Sequence, residues 1–113
     1  MTISPSIINA LFSTAVEDRE PAGSIDSLST ASDQVYFFTE IIGFQGRTVT
    51  HRWSHGGEVV AEVPFEIGGP RWRVYSSKKF LPSWTGKWTV EVVDEEGKVH
   101  LAKQLTYYNK DVE

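Results

Sequence analysis

The chain has 113 residues, a length typical of one domain, and it is 40% hydrophobic and 23% charged, as is usual for a globular protein with a single core. The formal net charge is −4 at pH 7, so the chain as a whole is not attracted to nucleic acid, and any anion binding must come from a local cluster. The absence of cysteine excludes disulfides, thiolate zinc sites and cysteine nucleophiles.

Apolar residues recur with a period of two, between clusters of Gly, Pro, Asp and Ser, which predicts an all-β fold. We expect one domain over residues 6–108, a polar loop at 17–33, and tails at 1–5 and 109–113. No stretch approaches the ~18 apolar residues of a membrane-spanning helix, and no signal peptide is recognised. Seven strands are predicted: Ser6–Val16, Gln34–Ile42, Arg47–His55, Glu58–Ile67, Arg71–Ser76, Gly86–Asp94 and Lys98–Tyr108.

The second to fourth predicted strands carry distinct signals. The second is the most apolar, so we expect it to be central and covered on both faces. In the third, Val49, His51 and Trp53 share one face, which we assign to the core. Gly56 follows that strand in a Gly-Gly hairpin signal. Pro64 in the fourth strand cannot donate a ladder hydrogen bond, which predicts an edge strand.

The order of strands and turns is typical of a seven-stranded immunoglobulin-like or fibronectin-type sandwich. Such sandwiches often bury a tryptophan on the third strand, the position that Trp53 takes here. Trp88 begins the sixth strand, with Val90 and Val92 on the same face, and it stands where a conserved tyrosine usually forms a corner. We therefore expect both tryptophans in the core.

The fifth strand carries the main candidate site. Alternation places Trp72 with Val74 on the core face, and it leaves Arg71, Arg73 and Tyr75 on the outer face. Two guanidinium groups beside a phenol can bind carboxylate, sulfate or phosphate and can stack on a sugar. The alternative is an ordinary strand whose arginines pair with acids of the fourth strand, namely Glu58, Glu62 and Glu66.

The loop after the fifth strand extends this candidate site. Lys78 and Lys79 add positive charge, and Lys87 stands a few residues further on. Trp84 has two interpretations: a sugar-stacking platform, or a plug at the end of the sandwich together with Phe80 and Leu81. The candidate ligand-binding residues are therefore Arg71, Arg73, Tyr75, Lys78, Lys79 and Trp84.

Metal and catalytic sites find little support in the sequence. His51 and His55 share a strand face but lie roughly 13 Å apart along it, too far to bind one metal ion. Glu40 sits inside an apolar run, and we expect it to form a structural ion pair with Arg47 or Arg52. No serine lies in a Gly-x-Ser-x-Gly elbow. We therefore expect no cofactor, no metal and no enzymatic activity.

Three stretches carry a family likeness: "YFFTEIIGFQGRTVTHRW", "GGPRWRVYSSK" and "GKWTVEVVDEEGKV". They resemble a bacterial family catalogued as domain of unknown function 2914, over about Ala10 to Tyr107. The resemblance implies an extracytoplasmic β domain of the periplasm or cell envelope. It implies no substrate, cofactor or catalytic residue.

The resulting hypothesis is a non-catalytic extracytoplasmic binding module for an anionic envelope glycan or an envelope protein. One alternative is a carbohydrate-binding module that stacks neutral sugars on exposed aromatic residues, and another is a small hydrolase. We expect no nucleic-acid partner, and the sequence leaves the oligomeric state open.

Overall fold

A computed structural model describes residues 5–17, 20, 21 and 23–110. These residues form ten β-strands and contain no helix, so none of them belongs to a helix that could cross a membrane. The strands are β1 (Ser6–Ser13), β2 (Val16–Glu17), β3 (Glu20–Pro21), β4 (Ser27–Ser29), β5 (Gln34–Ile42), β6 (Thr48–His55), β7 (Glu58–Glu66), β8 (Arg71–Lys79), β9 (Gly86–Asp94) and β10 (Val99–Tyr108).

Two sheets pack face to face in a sandwich-like fold. The three-stranded sheet has the order β1-β5-β8, and the five-stranded sheet has the order β4-β10-β9-β6-β7. All pairings within them are antiparallel except β4 with β10, which is parallel. β2 and β3 form a separate two-stranded ribbon. One apolar core, built from both sheets, lies between them.

Each predicted strand overlaps one of the strands that have eight or more residues. Three short strands, β2 to β4, were not predicted and lie in or beside the loop expected at 17–33. β8 is three residues longer than predicted, because Ser77 to Lys79 continue its pairing with β5. Residues 1–4 and 111–113 of the two predicted tails lie outside the described residues.

Strand phase follows the apolar alternation. Val49, His51 and Trp53 of β6 are fully buried, as predicted. β5 is the middle strand of its sheet and buries six of its nine residues, in agreement with its continuous apolar sequence. Pro64 lies in β7, and β7 is an edge strand of the five-stranded sheet, as predicted from the missing N–H group.

Trp88 is the centre of an aromatic stack at one end of the core. Its ring stacks on His55 and on Phe80, with centroid distances of 4.5 and 4.4 Å. Its indole Nε1 donates a hydrogen bond to the backbone oxygen of Trp84, 2.9 Å away. Trp88 therefore combines a large buried apolar surface with a satisfied polar group, as buried tryptophans usually do.

A buried polar cluster connects the two sheets. The ring of His51, on β6, lies 2.9 Å from Thr39 Oγ1 and 2.7 Å from Ser76 Oγ, on β5 and β8. Trp53 Nε1 also donates to Ser76 Oγ, at 3.1 Å. Both ring nitrogens thus have side-chain partners. Burial lowers the pKa of His51 to about 3, so the imidazole is neutral in the folded protein.

Trp88→Ala should destabilise the domain by ~3–5 kcal/mol, because it leaves a cavity among packed rings. Chemical denaturation measures this loss. Trp72→Ala provides the matched control, since Trp72 is 40% exposed and its removal opens no internal cavity. Equal losses for the two variants would mean that Trp88 is not a core residue.

The buried imidazole predicts a loss of stability in mild acid. Unfolded His51 binds a proton below about pH 6.5, whereas the folded form stays neutral down to about pH 3. As the pH drops below 6.5, His51 should therefore lower the free energy of unfolding by about 1.4 kcal/mol per pH unit. Denaturation at pH 7 and 5 tests this slope.

His51→Gln is the control for that slope, because glutamine keeps hydrogen-bonding groups but does not titrate. Its stability should change less between pH 7 and 5 than that of the parent. Carboxylates with a lowered pKa, such as Asp94 at about 2, also stabilise the folded state. Their contribution to stability is lost only as the pH falls below their unfolded pKa near 4. An unchanged slope in the variant would exclude His51 as its source.

Candidate functional site

Strand β8 has the phase that the sequence predicts. Val74 and Ser76 are buried on the core face, whereas Arg71, Arg73 and Tyr75 point to the outer face of the three-stranded sheet and are exposed. The paired strand β5 brings Tyr36 to the same face, and its ring lies 6.1 Å from that of Tyr75 in an edge-to-face arrangement. We call Tyr36, Arg71, Arg73 and Tyr75 the β8 surface.

The prediction that Trp72 is a core residue is wrong. Trp72 lies on the core side of β8, but its side chain is 40% exposed. β8 is an edge strand, and in the described residues no further strand lies beside it to cover the indole ring. Its indole ring packs over the preceding turn, where a Cβ on Gly68 or Gly69 would stand 3.0 or 3.3 Å from it. The two glycines permit this close approach.

A buried carboxylate holds the β8 surface together. Glu40 is only 2% exposed; it accepts hydrogen bonds from Arg71 Nε and, at 2.7 Å, from Asn9 Nδ2. Arg73 Nε lies 3.8 Å away. These contacts, chiefly the bond from Arg71, lower the pKa of Glu40, so that it is ionised at neutral pH.

The predicted partners of Glu40 were Arg47 and Arg52, and this prediction is wrong. Arg52 lies on β6 of the five-stranded sheet, and Arg47 directly precedes that strand. Both have other partners: Arg52 binds Glu91 at 2.9 Å, and Arg47 binds Glu95 at 2.7 Å. Glu40 lies on β5, which pairs with β8, and its neighbours there are the β8 arginines.

The alternative pairing expected for the β8 arginines is wrong for the same reason. Glu58, Glu62 and Glu66 lie on β7, in the other sheet. Arg73 instead contacts Glu20 of the β2–β3 ribbon, with Nη1 3.1 Å from Oε1. The arginines are therefore paired, but with acids that are distant in sequence and placed by the ribbon and by β5.

The charge of Arg71 is paired while much of its guanidinium remains available. Its Nε donates to Glu40, and the side chain is 64% exposed. Beside it, a shallow depression is lined by groups from β1, β3, β5 and β8. These are Asn9, Leu11, Glu20, Pro21, Phe38, Glu40 and Arg73. The surface is thus a flat, fixed array of N–H donors and aromatic rings, without an enclosed cavity.

The remaining candidate residues lie at the other end of β8. Lys79 is 3.8 Å from Asp33, and Lys78 Nζ lies 5.6 Å from the ring of Trp84. Trp84 is half-buried against the core, which agrees with the plug interpretation. Leu81 is exposed and takes no part in the plug, which Phe80 and the Trp88 stack complete instead.

Three residues of this site were not singled out from the sequence: Tyr36, which belongs to the β8 surface, Glu20, which contacts Arg73, and Asn9, which contacts Glu40. Asn9 has φ 53° in an irregularity of the β1–β5 pairing, and this backbone conformation turns its side chain toward Glu40. The charged Glu40 inside the apolar sequence of β5 indicated that its carboxylate must have a hydrogen-bonding partner. The identity of that partner depends on which strands pair with β5.

Metal binding finds no site in the part of the chain that the structure describes, where no three His, Asp or Glu side chains are grouped to hold an ion. Two polar clusters that contain a histidine are engaged internally. His51 is enclosed in the core; Asp94 binds His100 Nε2 at 2.9 Å and the N–H groups of the β9–β10 turn.

These observations define a sandwich-like β domain with a flat polar–aromatic surface on one edge strand. The family described as "Protein of unknown function (DUF2914)" matches residues 46–104, which is more than half of the chain and includes β6 to β9. The chain belongs to this family. β1 and β5, which complete the β8 surface, lie outside the matched region. No curated protein matches the chain.

Arg71→Ala should destabilise the domain more than Arg73→Ala, because Arg71, unlike Arg73, donates a direct hydrogen bond to the buried Glu40. We expect the melting temperature to fall by several degrees for the first variant and by less for the second. The melting temperature of Arg71→Lys, which keeps the charge but not the Nε donor, should lie between those of the two alanine variants. Identical melting of Arg71→Ala and the parent would contradict the pairing.

Proposed function

We propose that this chain is a non-catalytic extracytoplasmic interaction module that binds a protein partner through β8 and the β8 surface. We also propose that its sandwich is of the immunoglobulin or fibronectin type. The strand order supports the second proposal, since β5 and β8 lie in one sheet while β6, β9 and β10 lie in the other. The bond from Trp88 to the backbone four residues upstream resembles the tyrosine corner of that fold.

One observation carries the functional proposal: Arg71, Trp72, Arg73 and Tyr75 are all exposed within five consecutive residues of a rigid strand. Tryptophan, tyrosine and arginine are the residue types most enriched among the energetically dominant positions of protein interfaces. The partly exposed rings of Trp72 and Tyr75 offer apolar area that a partner can cover. Glu40 and Glu20 fix the arginines in place, which reduces the entropy lost on binding.

The charges of the surface favour a protein over an anionic glycan. Arg71 and Arg73 are balanced by Glu40 and Glu20, so the net positive charge offered to a polyanion is small. Neutral-sugar stacking is disfavoured because the rings of Tyr36 and Tyr75 meet edge to face rather than forming one flat platform. An anionic glycan is therefore the alternative ligand, which the extract treatments described below distinguish from a protein.

Two polar groups of the described residues that could serve catalysis are engaged internally, which supports a non-catalytic role. The pair formed by His51 and Ser76, which could otherwise serve nucleophilic chemistry, is enclosed in the core. Glu40, the carboxylate of the surface, is engaged by Arg71 and Asn9. The extracytoplasmic location rests on the resemblance to the family alone.

Tyr75→Ala should weaken capture of the partner from an envelope extract by roughly tenfold or more, the usual effect of removing an interface hot spot. Tyr108→Ala is the matched control, because Tyr108 is equally exposed (47% against 44%) but lies on β10. The measurement is the amount of material retained by the immobilised domain.

Two treatments of the extract identify the chemical class of the ligand. Protease digestion should abolish the Tyr75-dependent capture, and periodate oxidation of sugars should leave it unchanged. The reverse pattern would replace the protein partner by a glycan. Equal capture by the parent and by both tyrosine variants would exclude the β8 surface as the site.

A further inference from the structure

β8 is the long edge strand of the described sandwich that has no proline and no bulge, so that only its charged side chains oppose further pairing. It pairs with β5 over nine consecutive residues, from Arg71 with Ile42 to Lys79 with Gln34, without a register shift. It contains no proline. In the described residues no strand pairs with its other side. A flat edge of this length is a template for an added strand.

The other edge strands of the described residues are protected. β7 contains Pro64 and is irregular where Trp53 and Ser54 pair with it. β1 has a register shift between Ile8 and Leu11, and β4 has only three residues. Prolines, bulges and short length are the usual means by which proteins prevent edge pairing. Their absence from β8 distinguishes this strand from the other edges.

The hydrogen bonds at the two ends of β8 reveal which backbone groups are free. Phe80 N donates to Asp33 O, and Gly43 N donates to Pro70 O. Because hydrogen-bonded pairs alternate along an antiparallel ladder, the even-numbered residues of β8 bond to β5. The odd-numbered residues direct their N–H and C=O groups to the free edge; these are Arg71, Arg73, Tyr75, Ser77 and Lys79.

The two faces beside this edge differ in chemistry. On the outer face the odd-numbered side chains include Arg71, Arg73 and Lys79, and β8 contains no acid. On the inner side Trp72 is partly exposed. Phe65 of β7, in the facing sheet, is partly buried, and its ring lies 4.8 Å from that of His51, which in turn lies 2.7 Å from Ser76 Oγ of β8. A strand added at the edge would meet cations on one face and apolar groups on the other.

A second copy of β8 does not fit this edge. Antiparallel pairing of two β8 strands centred on Tyr75 would place Arg71 opposite Lys79, and like charges in opposite positions are destabilising. Arg71, Arg73 and Lys79 each contact one acid, but their side chains remain 64%, 47% and 76% exposed. Although the net charge of the edge is small, these exposed cationic groups can still contact individual acidic side chains of an added strand.

We propose that the free edge of β8 takes up an extended segment of the partner protein, with alternating acidic and apolar side chains, as an added β-strand. This inference rests on the proposed function and specifies its binding mode, which is known in general as β-augmentation. The acidic side chains lie beside Arg71, Arg73 and Lys79, and the apolar ones cover Trp72.

Backbone amide exchange tests the mode directly, with a synthetic peptide of alternating Glu and Val as the probe. Binding should slow exchange at Arg73, Tyr75 and Ser77, whose N–H groups face the edge. Exchange at Val74 and Ser76 should change little, because β5 already binds those groups. A peptide with Lys in place of Glu should not bind. Uniform protection along β8, or binding without protection, would overturn the inference.

Ser77→Pro removes one edge N–H group without removing a bond to β5, and Ser77→Ala removes the hydroxyl group while keeping that N–H. The proline variant should bind the peptide roughly tenfold more weakly, and the alanine variant should match the parent. Should the proline variant fail to fold, peptides with N-methylated backbone at alternate positions replace it. Methylation of one alternate set of positions should abolish binding, and methylation of the other set should not. Equal binding of both sets contradicts the added strand.

The outcomes separate this inference from the proposed function. Capture that depends on Tyr75, combined with no alternating protection, would overturn the added strand and leave the interaction module standing. Alternating protection without Tyr75-dependent capture would support the edge mode and exclude the β8 surface as the determinant. A stable dimer of the domain in sedimentation, formed through β8, would replace the partner segment by a second copy.

Discussion

A fully buried imidazole must find a hydrogen-bonding partner for each ring nitrogen, and this constraint on His51 orients the rest of the sandwich. The partners are Thr39 and Ser76, both in the opposite sheet. Because Ser76 must point inward, strand alternation places Arg73 and Tyr75 on the outer face. The same phase turns their backbone N–H groups toward the free edge of β8.

The outer face contains a second constraint of the same kind. Glu40 is buried on the central strand of its sheet, and an unpaired charge there would cost several kcal/mol. Arg71 and Asn9 satisfy it. The arginine that a ligand would meet is therefore part of the fold, and its position is fixed before binding. Stability and recognition share one residue on this surface, and only Tyr75 can be removed to test binding alone.

Alternation of apolar residues was sufficient to predict strand phase, because one side of every strand must enter the core. It therefore identified Trp53 and the outward direction of Arg71. It could not predict the exposure of Trp72, which depends on β8 being an edge, nor the partners of Glu40. The neighbouring strands β5 and β8 are not consecutive in sequence, and Glu40 and Arg71 are 31 residues apart. The contribution of Asn9 required a backbone conformation with positive φ, which no sequence pattern signalled.

The central claim is that β8 presents a free, regularly spaced row of backbone donors and acceptors. Amide hydrogen exchange of the unliganded domain measures it most directly, because hydrogen-bonded amides exchange far more slowly than free ones. We expect rapid exchange at Arg73, Tyr75 and Ser77 and slow exchange at Val74 and Ser76. Slow exchange at all five residues would contradict it, since the edge would then already be covered.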